Sequence, residues 1–163
     1  MAIRVQREDF DLGLELKGLS AGNHSVGGLC SFVGLVRDMN AVGGEAQDIS
    51  AMTLEHYPGM TEKQLSEIEA EANRCWPLEA SLIIHRFGRL APGDQIVLVA
   101  TASPHREAAF EACHFLIDWL KTRAPFWKVE ETDAGDARWV QSRDSDAQAA
   151  ARWSDDHEAE PKS

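Results

Sequence analysis

The chain has 163 residues, of which 44% are hydrophobic and 26% charged, the profile of one globular domain that can bury a core without disulfides or metal. Sixteen Lys and Arg against 27 Asp and Glu leave a net charge of −11, which opposes nucleic-acid binding. The longest near-continuous apolar run, Ile96–Ala102, falls far short of the ~20 residues a membrane helix needs, and Met1-Ala2-Ile3-Arg4-Val5 opens no signal-peptide core, so a cytoplasmic chain is expected.

In chain order, residues 2–6 read as a strand and Asp9–Leu19 as a short helix with Leu12, Leu14 and Leu16. Val26–Val36 is a β-rich run in which Gly27-Gly28 marks a bulge or a close backbone approach. Asp38–Gly44 has loop composition, and Ile49–Tyr57 is a strand that stops at Pro58-Gly59. Thr61-x-x-Gln64 has the form of a capping box, followed by Leu65, Ile68 and Ala72 at helical spacing until Trp76-Pro77 ends the helix. Strands at Ala80–Phe87 and Gln95–Thr101 flank a turn at Leu90–Asp94.

The longest helix is predicted from Pro104 to Lys121, with Ser103 as N-cap and Pro104 in the first turn. Ala109, Ala112, Cys113, Leu116, Ile117 and Leu120 form its single apolar stripe. Pro125 breaks it, Phe126–Glu131 is extended, and Trp139-Val140 is one more short strand. The order predicts an α+β fold, with two longer helices on a mainly antiparallel sheet. Residues 1–143 carry a net charge of −7, and residues 144–163 form an acidic tail expected to be partly disordered.

Three clusters could carry chemistry. Ser103-Pro104-His105-Arg106 places two cations at a helix start, where free N–H groups favour an anion; the alternative is that both side chains point to solvent or pair with acids. Lys121 and Lys128, two of only five lysines, flank Pro125-Phe126-Trp127, a setting that suits a proton-transfer group or a carboxylate holder. The plainer reading gives Lys121 to a solvated helix end and Lys128 to an exposed strand. Arg37, after Phe32-x-Gly34-x-Val36, can grip phosphate or carboxylate, or pair with Asp38.

Other polar residues are weaker candidates. His56 beside Glu55 is expected to be a hydrogen-bonded structural histidine, and His114 to be structural as well. On a strand, either His85 or Arg86 can face a site. Cys30, Cys75 and Cys113 lack Cys-x-x-Cys spacing and read as small hydrophobes, so no metal site is expected. No dinucleotide, P-loop or Gly-x-Ser-x-Gly motif occurs.

Together, Phe32-x-Gly34-x-Val36-Arg37, Leu54-Glu55-His56-Tyr57-Pro58-Gly59-Met60, His85-Arg86-x-Gly88-x-Leu90, Ser103-x-His105-Arg106-x-x-Ala109-Phe110 and Lys121-x-x-x-Pro125-x-Trp127-Lys128-x-Glu130 resemble the large, catalytic subunit of molybdopterin synthase over roughly residues 3–143. The resemblance implies an α/β hammerhead with an added small antiparallel β subdomain. It implies a sulfurtransferase that turns precursor Z, a cyclic pyranopterin monophosphate, into the dithiolene of molybdopterin. Sulfur would come from the Gly-Gly thiocarboxylate of a small ubiquitin-like subunit; this chain's own Glu160-Pro161-Lys162-Ser163 end is no such carrier.

The resemblance also implies a homodimer of large subunits inside a heterotetramer, and no cofactor in this subunit. It assigns catalysis to Lys121 and Lys128, and substrate binding to Arg37, His105 and Arg106, some of them reaching across the dimer. It makes Phe32, Phe126 and Trp127 the channel for the carrier tail. Two other readings remain at this stage: a non-enzymatic dimer that binds a phosphorylated ligand at His105-Arg106, and Schiff-base chemistry on a sugar phosphate at Lys121.

Overall fold

The structure is a computed structural model that describes residues 2–37, 39–42, 45–132, 137–140 and 144–156. In chain order the elements are β1 (Ala2–Gln6), α1 (Leu12–Ser20), β2 (Gly28–Leu35), β3 (Met39–Val42), β4 (Glu45–His56), α2 (Met60–Cys75), β5 (Ala80–Arg86), β6 (Gly88–Leu90), β7 (Gln95–Ser103), α3 (Arg106–Arg123), β8 (Phe126–Thr132), β9 (Ala137–Val140) and α4 (Asp144–Asp156).

One sheet has the order β1-β5-β7-β2, parallel only between β1 and β5. Its two faces are both covered. Ile83, Val97 and Val99 face Leu65, Ile68 and Ala72 of α2 and Cys113, Leu116, Ile117 and Leu120 of α3. The alternate residues Leu82, Ile84, Leu98 and Ala100 face Phe10 and the α1 leucines Leu12, Leu16 and Leu19. The strand period of two makes that division, and burial on both faces explains why Ile96–Ala102 reads as an apolar run rather than as an alternation.

The second sheet is antiparallel, β3-β4-β8-β9, with β6 also on β4. Val36, Met52, Leu54 and Leu90 form a third core cluster, with Phe87 and Ile96 against it, and join this sheet to the first. The fold is α+β, as expected.

The structure differs from the sequence reading at several ends. Within the segment expected to be loop, Met39–Val42 is a strand that pairs antiparallel with Glu45–Asp48; Asp38, Gly43 and Gly44 lie outside the described residues. Residues 88–90 form β6 against Met52–Leu54, where only a connection was expected. Helix α2 is capped two residues earlier than Thr61-x-x-Gln64 suggests. Glu62 Oε2 accepts the Gly59 N–H at 2.7 Å, while buried Thr61 turns its hydroxyl to the Tyr57 N–H at 3.1 Å.

Helix α3 begins at Arg106, with His105 as its N-cap residue, two positions after the predicted start. Ser103 ends β7 instead, and its Oγ donates to the Pro77 carbonyl at 2.9 Å. The alanine-rich stretch from Asp144 is helix α4, docked on α3; residues 157–163 lie outside the described residues. Trp153 explains the docking. Its ring meets Trp76, Phe115 and His114 edge-on, and its Nε1 donates to Asp118 at 2.9 Å.

Candidate active site

Two ends of one helix hold the candidate residues. Strand β7 leads into α3, which turns back along it: Thr101 Oγ1 donates to Ala109 O at 2.7 Å, and Leu116 and Leu120 pack further along the same face. Sheet register then sorts the candidates. Gly28 lies opposite Ser103, so the start of β2 sits at the α3 N-terminus, while Leu35 lies opposite Gln95 at the other end.

The N-terminal end is an open concavity of about 490 Å³ lined by Gly27, Pro104, His105, Arg106 and Glu107. His105 and Arg106 are both exposed, and His105 makes no side-chain cap bond, so the first-turn N–H groups of α3 face the opening without a side-chain acceptor from the cap. Gly27 explains the shape. Its N–H donates to Ser103 O at 3.0 Å, and a Cβ there would lie 2.1 Å from the Pro104 carbonyl oxygen. The Gly27-Gly28 pair is therefore the close approach its sequence suggested.

At the opposite end are Arg37, just beyond β2, Lys121 in the last turn of α3, and Lys128 on β8, all exposed. The short Ala124-Pro125 link ties the two lysine-bearing elements, with the Ala124 N–H on Leu120 O at 3.3 Å and the Phe126 N–H on Ala124 O at 2.9 Å. In this single chain Lys121 is exposed at the end of α3, where the plainer reading of the residues puts it.

Phe126 and Trp127 do not form one wall, because consecutive strand residues face opposite ways. Trp127, 41% exposed, meets Tyr57 at 5.7 Å between ring centroids. Phe126 turns inward and stacks on His85, with centroids 3.6 Å apart and planes 15° from parallel. Phe32, 39% exposed, lies midway along β2, opposite Val99.

The reading of the residues undervalued this inward layer. His85 shares the face of Ser81 and Ile83, and Phe126 covers it. Its Nδ1 donates to Arg86 O at 2.9 Å, since a carbonyl oxygen can only accept. Burial first, and then the positive charge of Lys128 and the nearby His56, push its pKa down to about 4.

His56, expected to be hydrogen-bonded, stacks obliquely on Phe87 with centroids 4.5 Å apart, and its buried Nδ1 has no partner among the described residues. Arg86 takes the opposite face and is structural. It donates to Arg7 O at 3.1 Å and Gln95 O at 2.8 Å, and pairs with Asp9 at 3.6 Å. The period-two pattern of Ser81-Leu82-Ile83-Ile84-His85-Arg86 held this choice, but which face carries the site depends on β8, which lies forty residues away. His114 pairs with Asp118 at 3.4 Å, in keeping with a structural role. Among the described residues no three His, Cys, Asp or Glu side chains group to hold a metal.

This arrangement, an anion-receptive helix start and a cationic end around a lysine-bearing strand, can be compared with known proteins. The family model described as MoaE protein matches residues 5–123. The chain belongs to the MoaE family. It is 56% identical over 153 residues to the molybdopterin synthase catalytic subunit of Pseudomonas aeruginosa, covering 94% of this chain and 99% of that one. The solved MoaE structure from Burkholderia ambifaria superposes with a TM-score of 0.79 at 53% identity, covering 94% of this chain and 99% of that chain. The molybdopterin synthase structure from Staphylococcus aureus gives 0.75 at 30% identity, covering 85% and 96%. As a MoaE chain it is an enzyme, the catalytic type of molybdopterin synthase subunit, and belongs to molybdenum cofactor biosynthesis.

Proposed function

We propose that the chain converts precursor Z to molybdopterin on a composite site made by two copies of itself, with sulfur delivered by a separate small subunit. The observation that carries the composite site is the length of α3. His105 and Lys121 are sixteen residues apart on one helix, about 24 Å at 1.5 Å per residue. Strand β2 separates Gly28 from Leu35, just before Arg37, by a similar span, roughly 23 Å. One pterin monophosphate cannot touch both ends, whereas a two-fold axis can bring the His105-Arg106 end of one copy to the lysine end of the other. Exposed Leu29, Phe32 and Leu35 on β2, an outer strand of its sheet, and exposed Phe110 on α3 supply apolar surface for such a homodimer.

In this reading the substrate phosphate sits in the Gly27–Glu107 concavity, held by the α3 N–H groups, Arg106 and His105. Arg37, at the lysine end of the other copy, grips the pterin. The relatives are named as catalytic subunits, which supports a partner subunit here, and the proposal gives that partner a Gly-Gly thiocarboxylate tail. The tail runs past Phe32 and Trp127 toward Lys121 and Lys128, which hold its negative charge, while Phe126 backs the lysine-bearing strand from within. For each sulfur, the thiocarboxylate sulfur forms a bond to a pterin side-chain carbon as a carbon–oxygen bond at that carbon breaks. The oxygen leaves as water or stays on the phosphate as the cyclic ester opens, and the product is a thioester. Water then cleaves the acyl–sulfur bond, leaving sulfur on the pterin and a carboxylate on the carrier, with Lys121 moving the protons. Residues 1–143 carry this chemistry in the cytoplasm, and the 144–163 segment takes no part in it. Among the described residues no helix is long and apolar enough to cross a membrane.

The test is reconstitution with precursor Z and a thiocarboxylated carrier, followed by subunit mixing. Lys121→Ala and Arg106→Ala homodimers should each form little product. Equal mixing with subunit exchange should restore about a quarter of wild-type activity, since half the dimers then hold one intact site of two. Absence of recovery in proven mixed dimers would place each site within one chain.

A further inference from the structure

We propose that His85 is a positioning residue for Lys128: the imidazole, fixed in one tautomer and clamped by Phe126, offers its Nε2 edge as the acceptor that seats the lysine ammonium. This rests on the proposed role of Lys128 and deepens it. Three observations converge. The Nδ1 proton is committed to Arg86 O, which leaves Nε2 unprotonated in the neutral ring. Face-to-face stacking on Phe126 fixes the ring plane. In the β4–β8 ladder, His56 opposes Phe126 and Leu54 opposes Lys128, and the strand period of two puts Phe126 and Lys128 on one face. His85 is therefore adjacent to the stretch of β8 that carries the lysine.

The groups that face His85 are Lys128 from β8 and His56 from β4, and both raise the cost of charging it, so it stays neutral where the enzyme works. A neutral acceptor beside an ammonium steadies the charged lysine, as a charge holder requires. The His56 Nδ1, without a partner among the described residues, lies in the same layer, against Phe87, within reach of Phe126. His85, with its partners made, is the member of the pair able to orient a neighbour.

The experiment follows the five lysines by NMR of their ε-methylene groups in the full chain, beside steady-state turnover with the carrier. In His85→Phe, which keeps the stack and removes the acceptor, the Lys128 titration should fall by about one pH unit. Its kcat should drop roughly tenfold at unchanged KM for substrate. His85→Gln, whose amide can reach the Nε2 position, should restore both. His85→Asn, which keeps only the bond toward Arg86, should not, and this pair decides the matter if the Phe variant does not fold. Slower turnover with Lys128 titrating as in wild type would overturn the inference and leave His85 a packing role. Normal turnover in Lys128→Ala would instead sink the role of the lysine, while the titration still reports whether His85 is coupled to it.

Discussion

His85 and Gly27 show how single atoms set this site. Folding hides the His85 ring, so between pH 6.5 and about 4 the unfolded chain takes up a proton that the folded chain refuses. Stability is therefore expected to fall as the pH drops through that window, by roughly 3 kcal/mol from this residue. Glu69, whose carboxyl is pushed up by burial ahead of the opposing bond from Ser81, has the reverse dependence. Urea midpoints of wild type and His85→Gln across pH 4–7 isolate the histidine, and parallel curves would refute its contribution. At Gly27 a methyl group has nowhere to go but into the Pro104 carbonyl oxygen. Gly27→Ala should cost about 1–3 kcal/mol and move the first turn of α3. It should raise the KM for substrate more than it lowers kcat, which steady-state kinetics will show.

Elements were readable where a local pattern decides them and opaque where a distant partner does. The α3 stripe from Ala109 to Leu120 is buried as its spacing required, with Ala108 and Phe115 added. Its start was misread because Ser103 fits a cap by type, yet it ends β7, and its Oγ donates to Pro77 O and accepts the His105 N–H, ahead of the helix. Met39–Val42 looks like loop by composition and becomes a strand only because Glu45–Asp48 lies opposite. Of the site, both lysines, Arg37 and His105-Arg106 stood out as unusual cations. Their separation along α3 was equally available from counting residues, whereas the inward turn of Phe126 depends on β4 and β5. Helix α4 gives a test at this scale. Trp153→Ala removes the ring contacts with Trp76 and Phe115 and the bond to Asp118, and should cost about 2–4 kcal/mol in urea unfolding. Carrier binding should be unaffected, and its loss would show that α4 serves the site and not only the core.

Across the whole molecule, the two sheets divide the labour. The first, covered on both faces, carries α3 as a rigid spacer, and the second supplies Lys128 and the aromatic layer. The His105-Arg106 end and the Lys121 end are thus held a fixed distance apart in each chain. Strand β7 is the middle of this construction. It is paired with β5 on one side and β2 on the other, and Val97 to Ser103 are all buried. Amide hydrogens there have no local route to solvent, so those of Val97–Thr101 should exchange with deuterium only when the entire chain opens. The α4 amides need only the release of Trp153 and should exchange orders of magnitude sooner. The strand that leads into the His105-Arg106 end of α3 would then be the last part of the chain to forget its fold, and the clock against which every other motion of the molecule can be timed.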